Sequence, residues 1–170
     1  MRKKVVAKQT NSTSCFVCGR ENPASPKASF YELEDGTIAA LVTCRPEHMS
    51  YPSTVHGGVT AALLDETLGR ALLPVEPDIW GITLELNIKY IKTVPYDKQI
   101  TVLSRITENK EKVFFASGEV VLESGEIAAT ATGVYFKATP ERLSNMGLPQ
   151  TGLMVYKEDS DPEYIEISDK

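Results

Sequence analysis

The residues best suited to chemistry lie close together in the chain, where His56-Gly57-Gly58 is followed by Asp65. The first backbone N–H groups of a helix have no intrahelical partner, and the helix dipole makes that end positive. Because glycine lets a ligand approach the backbone closely, a helix that begins at Gly57 and Gly58 could stabilise a developing negative charge. The pattern indicates an oxyanion site, but glycines that merely make a sharp helix entry would have the same sequence.

Asp65 is the second candidate group. On a helix it would share a face with small and apolar residues, namely Ala61, Ala62, Leu68, Gly69 and Leu72. A carboxylate on such a face is costly to bury without a partner or a task, which favours Asp65 as a general base or a nucleophile. Its neighbour Glu66 lies four residues before Arg70, so an ion pair predicts a structural role for Glu66. The alternative for Asp65 is a carboxylate that a neighbouring strand satisfies.

The cysteines offer a second kind of site. Two residues separate Cys15 from Cys18 and three separate Cys44 from His48, so the two pairs could supply four zinc ligands if they met in space. Buried thiols and a loop histidine are the simpler interpretation, and we predict no metal and no cofactor. Three cysteines are too few for a disulfide scaffold, which favours a reducing cytoplasm.

Length and composition limit the classes of protein to consider. The 170 residues suit one domain with a core, and an apolar content of 42% argues against disorder. The net charge of −5 argues against a protein that binds nucleic acid through phosphate contacts. The apolar runs are far shorter than the roughly 20 residues of a membrane span, and residues 1–8 are basic without the apolar stretch of a secretory signal.

A helix and a set of strands must position these groups. The apolar run from His56 to Pro74 predicts one helix of about 17 residues that is buried nearly all round. Apolar segments bounded by turn residues predict strands, at 29–34, 37–44, 82–90, 98–107, 112–123 and 126–137. A short helix at Thr139-Pro140 and a loop beyond Gly147 are expected to follow. This order predicts an α+β fold in which a curved antiparallel sheet wraps around one helix.

The motif resembles that of a known family. The segment YPSTVHGGVTAALLDE (51–66) resembles the signature of the PaaI-type hotdog thioesterases, in which an acidic residue follows His-Gly-Gly. CFVCGRENP (15–23) resembles a leader seen in some of these proteins, and NIKY (87–90) resembles their third strand. The resemblance implies a hotdog fold, an α+β fold with a curved antiparallel β-sheet wrapped around one long central helix.

We expect three segments: an N-terminal extension (1–14), a hotdog thioesterase domain (15–138), and a short helix with a polar acidic tail (139–170). The family also implies an activity, hydrolysis of an acyl-CoA thioester in the cytoplasm, with coenzyme A entering only as part of the substrate.

The resemblance implies a role for each site residue. The Gly57 N–H would bind the thioester carbonyl, Asp65 would activate water or attack the carbonyl, and His56 would orient the thioester group or the loop. Thr83 stands where the family often has a Ser or Thr that orients the water or the acid, although an ordinary strand threonine would look the same. Further residues are expected to contact the substrate: Gly58, Ser50, Tyr90, Lys92, Lys110 and Lys112. The lysines would bind the phosphates of CoA unless they are ordinary strand-end lysines.

The spacing of the motif predicts an oligomer. Asp65 lies nine residues after His56, which is about 13 Å along a helix and about half a turn around it. One chain cannot bring both groups to one substrate, whereas a two-fold dimer would form two equivalent sites. We expect a homodimer, or a homotetramer, that acts on a small-molecule acyl-CoA and binds neither nucleic acid nor membrane. The alternative is a non-catalytic hotdog protein that binds acyl-CoA as a sensor or scaffold.

Overall fold

The computed structural model describes residues 2–148 and 152–167. Within these residues the chain forms two α-helices and ten strands. In chain order they are β1 (Arg2–Lys8), β2 (Asn11–Ser12), β3 (Ser29–Leu33), β4 (Ile38–Thr43), α1 (Gly57–Gly69), β5 (Trp80–Tyr90), β6 (Gln99–Asn109), β7 (Val113–Val121), β8 (Ile127–Ala138), α2 (Pro140–Asn145), β9 (Leu153–Met154) and β10 (Tyr164–Glu166). Short 3-10 turns lie at Pro46–His48 and Arg70–Leu72.

Eight of these strands form one antiparallel sheet in the order β10-β1-β3-β4-β6-β7-β8-β5, and β2 pairs separately with β9. Helix α1 packs across β4 to β8, and the main apolar cluster lies between the helix and the sheet. This is the predicted α+β hotdog arrangement, so the predicted fold class is confirmed. The six predicted strands correspond to β3 to β8, and the tight turns at Gly36 and Gly125 use the positive φ that glycine tolerates.

The helix begins where the motif predicts and is shorter than expected. It ends at Gly69 and continues into the 3-10 turn, and no helix among the described residues is long and apolar enough to cross a membrane. Leu63, Leu64 and Leu68 are fully buried, whereas Ala61 and Asp65 are only half-buried. The expectation of burial nearly all round is therefore wrong for a single chain, which leaves one side of α1 partly open.

A close approach between α1 and the sheet fixes the depth of the helix. A Cβ on Gly118 of β7 would lie 2.5 Å from Leu68 Cδ1 and 2.6 Å from the Leu103 carbonyl oxygen. Only a residue without a side chain fits there, so β7 packs directly against the last turn of α1. The contact therefore fixes the distance between α1 and the sheet, and with it the position of the groups on the opposite side of the helix.

The two ends of the chain contribute more structure than the sequence predicts. β1 joins the sheet between β3 and β10, and Ile165 is buried against Leu33. The loop expected beyond Gly147 is therefore wrong at β9 and β10, because pairing with distant residues orders segments that are too short to show a pattern. Residues 149–151 and 168–170 of that tail lie outside the described residues, and the boundaries 1–14, 15–138 and 139–170 stay predictions.

Candidate active site

The first turn of α1 is organised by His56. Its Nδ1 accepts a hydrogen bond of 2.8 Å from the Gly58 N–H, so this nitrogen carries no proton and His56 acts as the N-cap. A Cβ on Gly58 would lie 3.0 Å from the same nitrogen, which explains why a glycine follows here. The Gly57 N–H, in contrast, has no hydrogen-bond partner among the described residues. It is the free donor that the motif predicts.

Gly57 opens onto a cleft of about 370 Å³ beside the start of α1. The loop before the helix and the end of β5 line it, through Ser50, Tyr51, Thr54, Val55, Gly57, Thr60, Tyr90, Ile91, Lys92, Thr93 and Val94. The Tyr90 hydroxyl donates to the Gly57 carbonyl oxygen at 2.9 Å, and Lys92 forms an ion pair with Glu126. The cleft brings together four of the predicted residues: Gly57, Ser50, Tyr90 and Lys92.

Asp65 lies in a second, smaller cleft of about 90 Å³, which Trp80, Gly81 and Gly69 also line. Its Oδ1 accepts hydrogen bonds from the Thr83 hydroxyl at 2.8 Å and from the Tyr135 hydroxyl at 3.1 Å. Both donors bind the same oxygen, and Oδ2 has no hydrogen-bond partner among residues 2–148 and 152–167. The carboxylate is therefore held by one oxygen while the other is free to accept a proton.

Tyr135 is the residue that sequence reasoning missed. Its ring is buried and stacks on Phe114 at a centroid distance of 5.1 Å, and burial raises the pKa of its hydroxyl far above the usual value, with the Asp65 carboxylate adding to the rise. The hydroxyl therefore remains a donor at neutral pH. A buried tyrosine needs a hydrogen-bond partner, but nothing in the alternation of β8 indicates that the partner is Asp65.

Glu66 has the structural partner that its spacing predicts. One carboxylate oxygen, Oε1, accepts from Arg70 Nε at 2.9 Å and lies 2.8 Å from Arg70 Nη2. Arg70 is buried, donates to the Thr10 carbonyl oxygen and lies over the Phe30 ring. The ion pair thus ties the end of α1 to the segment that follows β1.

The two histidines meet in a third cleft, which Phe16, Met49 and Val59 also line. His56 lines this cleft and not the one that holds Gly57. His48 is buried, accepts from the Arg45 N–H through Nδ1 and donates to the Ala24 carbonyl oxygen through Nε2 at 2.9 Å. Both ring nitrogens of His48 therefore have partners in the protein.

The predicted lysines are not brought together in one chain. Lys92 follows β5 and its N–H bonds to the Ala128 carbonyl oxygen, whereas the Lys112 carbonyl oxygen accepts from the Lys137 N–H at the other end of β8. Lys137 lies nine positions after Ala128, which is about 30 Å along a strand. Lys110 stands at that far end too, paired with Glu108.

The cysteines do not form the four-ligand set that the spacing allowed. Cys15 and Cys18 lie together, but the third member of their group is Glu66, and neither Cys44 nor His48 belongs to the group found among the described residues. The hydrogen bond with Cys18 lowers the pKa of the Cys15 thiol to about 6, and the same bond, with burial, raises that of Cys18. The Cys15 thiol is thus the more acidic of the two.

Known proteins match the chain over its central part. Residues 53–129 match the family model of the thioesterase superfamily. Human acyl-coenzyme A thioesterase 13 is 25% identical over 91 residues, which are 54% of this chain and 65% of that protein. Its mouse counterpart is 30% identical over 71 residues, which are 42% of this chain and 51% of that protein. The chain thus spans less than two thirds of the length of these relatives.

Solved structures match the fold. A crystal structure of a thioesterase superfamily protein has a TM-score of 0.67 at 26% identity, over 72% of this chain and 59% of that one. A Bacillus halodurans protein whose crystal structure was determined with CoA has a TM-score of 0.54 at 29% identity, over 59% of this chain and 66% of that one. These matches agree with the resemblance of the motif to that of the hotdog thioesterases.

Proposed function

We propose that this chain, whose segment 53–129 matches the thioesterase superfamily and whose fold is the hotdog, is a member of that superfamily and hydrolyses an acyl-CoA thioester to a free acid and CoA. The single observation that carries the proposal is the free Gly57 N–H at the positive end of α1, placed in a cleft that is lined by Tyr90, Ile91 and Lys92. A donor fixed in this way stabilises the oxyanion that forms when a thioester carbonyl is attacked.

Asp65 supplies the other half of the reaction. In our proposal its free Oδ2 takes a proton from water while the water oxygen attacks the thioester carbon, and the collapse of the tetrahedral intermediate expels CoA as a thiolate. Thr83 and Tyr135 hold Oδ1, so the carboxylate keeps one orientation during the transfer. Direct attack by Asp65 on the carbonyl carbon uses the same geometry, expels CoA as a thiolate and gives an acyl-enzyme anhydride, which water then hydrolyses to the free acid. Neither route requires a metal or a redox cofactor.

The two halves are proposed to come from two copies of the chain. Gly57 and Asp65 line different clefts of one copy, and eight residues separate them, which is about 12 Å of helix. A two-fold homodimer would place the Gly57 cleft of one copy against the Asp65 cleft of its partner, and would do so twice. Lys92 would then meet Lys110 and Lys112 of the other copy near the phosphates of CoA.

His56 takes the second of the two roles that the resemblance implies, which is to orient the loop. Its Nδ1 caps α1 and its ring lines a neighbouring cleft, so we assign it to holding the loop that presents Gly57. Ser50 lines the Gly57 cleft and is placed to contact the acyl chain or the attacking water. The thiol-release assay described next identifies the acyl group that the cleft accepts.

The central test is release of free thiol from acyl-CoAs of varied chain length and aromatic character, with Asp65→Asn beside the wild type. We expect wild-type turnover, and a loss of about 10²- to 10⁴-fold in kcat for Asp65→Asn. Asp35→Asn in the β3–β4 turn is the matched control, because its side chain only contacts Lys3 and the Thr37 N–H. A wild type that binds acyl-CoA without releasing thiol would refute hydrolysis and establish the sensor or scaffold.

Mixing two inactive variants tests the shared site. Asp65→Asn and Gly57→Val each inactivate one half of the proposed site. The atoms nearest to a Cβ on Gly57 belong to the Tyr90 ring, at 3.6 Å, so the fold should accept the change. Random pairing makes half of the dimers mixed, and each mixed dimer has one intact site, so about one quarter of wild-type activity should return. No recovery, with mixed dimers shown to form, would contradict the two-chain site.

A further inference from the structure

A compact group of metal-ligating atoms lies outside the proposed active site. The sulfurs of Cys15 and Cys18 and a carboxylate oxygen of Glu66 all lie within 4.8 Å of one another. Cys18 is fully buried and Cys15 is half-buried, so the group opens to solvent on the Cys15 side. In a tetrahedral zinc site with two sulfurs and one oxygen, such atoms are about 3.6–3.8 Å apart, so shortening the separations by at most about 1 Å would close the set around an ion.

The sulfurs are surrounded by N–H donors. The Val17 N–H donates to Cys15 Sγ at 3.3 Å, and the Ser12 N–H and Arg70 Nη2 donate to Cys18 Sγ, each at 3.5 Å. Hydrogen bonds of this kind stabilise a thiolate, which is the form of cysteine that binds a metal. A neutral pair of buried thiols would need none of these three donors.

The two carboxylate oxygens of Glu66 have different neighbours. Its Oε1 bonds to Arg70, whereas Oε2 points the other way and lies 4.0 Å from Cys15 Sγ. The ion pair therefore occupies only one of the two oxygens, and it orients the second toward the sulfurs. A carboxylate fixed through one oxygen is a typical way to position a metal ligand.

The charges also balance. Two thiolates and one carboxylate carry −3, so a divalent ion leaves the cluster at −1, and the buried Arg70 guanidinium brings the whole to zero. Burial of a neutral, hydrogen-bonded cluster avoids the large cost of an unpaired charge. The balance of charge accounts for the Arg70 guanidinium beside the Cys18 sulfur.

The turn that holds the two cysteines is built tightly. The Gly19 N–H bonds to the Cys15 carbonyl oxygen at 2.8 Å, and a Cβ on Gly19 would lie 2.3 Å from that oxygen. The Asn11 amide nitrogen binds the Cys18 carbonyl oxygen at 3.0 Å and the Ala28 carbonyl oxygen at 2.8 Å from inside the core. These hydrogen bonds hold both cysteines in place without a bound ion.

We propose that Cys15, Cys18 and Glu66 bind one zinc ion and leave its fourth position to water. The ion would clamp the segment before β3 onto α1, one residue beyond Asp65. The proposal does not rest on thioester hydrolysis, and no step of that reaction passes through the metal.

The test measures metal in tag-free protein that is expressed with zinc and purified under reducing conditions without chelator. We expect about one zinc per chain in the wild type, and a loss of at least about tenfold in affinity for Cys15→Ser, Cys18→Ser and Glu66→Gln. Cys44→Ala is the matched control, because Cys44 is buried outside the group, and it should keep the zinc.

Cobalt provides a readout that does not depend on any variant. Cobalt added to the reduced wild type should give the near-ultraviolet absorption of thiolate-to-metal charge transfer, and zinc should abolish it by displacement. Cys15 is half-exposed, so Cys15→Ser should fold even if Cys18→Ser does not. Zinc below about a tenth of an equivalent with no cobalt–thiolate band, or zinc retained fully by folded Cys15→Ser, would overturn the proposal.

Discussion

The hydroxyl of Tyr135 should contribute measurably to turnover through its hydrogen bond to Asp65. Tyr135→Phe removes one oxygen and keeps the ring that stacks on Phe114. The lost bond joins a hydroxyl to an ionised carboxylate, a class worth about 1.5–3 kcal/mol. The hydroxyl is shared with the Asp65 carbonyl oxygen at 3.2 Å, so we take the lower end. About 1.4 kcal/mol corresponds to a tenfold loss of kcat.

The assay separates positioning from binding. Tyr135→Phe should lower kcat about tenfold and leave KM within about twofold, because the hydroxyl orients Asp65 and does not line the Gly57 cleft. Tyr31→Phe is the matched control, since Tyr31 is also buried and donates to a carboxylate, Asp161, at 2.8 Å in a distant part of the sheet. It should lose stability while its kcat stays at the wild-type value.

Thr83 provides a second test of how the Asp65 carboxylate is held. Thr83→Val removes the other donor to Oδ1 at nearly constant volume, and in each single variant the remaining donor still holds the carboxylate. The double variant should therefore lose more than the product of the two single losses. An unchanged kcat in Tyr135→Phe, or losses that multiply independently in the double variant, would refute the view that the two hydroxyls act through one oxygen.

Three further outcomes follow from other parts of the structure. Gly118→Ala should lower the free energy of unfolding by about 1–3 kcal/mol in urea titrations, because its Cβ would overlap Leu68. Its neighbour on the far face, Ser117→Ala, should have little effect. The hydrogen bond with Lys137 holds the pKa of Glu76 below its usual 4.5, so the stability it adds is present above that pH and is lost as pH falls through the lowered value. Glu76→Gln should therefore be less stable than the wild type at neutral pH, and the difference should shrink as pH falls through the lowered value, as urea titrations at neutral and acidic pH would show. Lys92→Ala should raise KM for acyl-CoA severalfold with little change in kcat, and the effect should shrink in high salt.

The part of the fold that the sequence predicts is the part with strong local patterns. The alternation in β5 and the apolar run of α1 each repeat over several residues, so their types and positions were predictable. β1 and β10 were not, because Arg2 pairs with Glu166 from the opposite end of the chain, and β10 has three residues. Pairing at that distance in sequence has no local signal.

The candidate site divides in the same way. The free Gly57 N–H follows from the motif, and the pairing of Glu66 with Arg70 follows from helix spacing. The position of Tyr135 beside Asp65 depends on how β8 crosses α1. The hydrophobic periodicity of the sequence does not predict that crossing. The four-ligand set that the cysteine spacing allowed is not assembled. Cys15 and Cys18 lie together, but the third group beside them, Glu66, comes from a helix that begins nearly forty residues after Cys18.

The open edge of the sheet indicates how a second copy would complete the site. β5 runs from the Asp65 cleft, at Trp80 and Thr83, to the Gly57 cleft, at Tyr90, and among the described residues only β8 pairs with it. A two-fold axis beside the middle of β5 would lay the strand against its own copy in the antiparallel direction, with the Tyr90 end of one copy beside the Trp80 end of the other. That operation would cover the half-buried side of α1 and bring each free Gly57 N–H toward the partner's Asp65. A single symmetry element would thus account for the exposed helix face, the unpaired strand edge and the division of the proposed site.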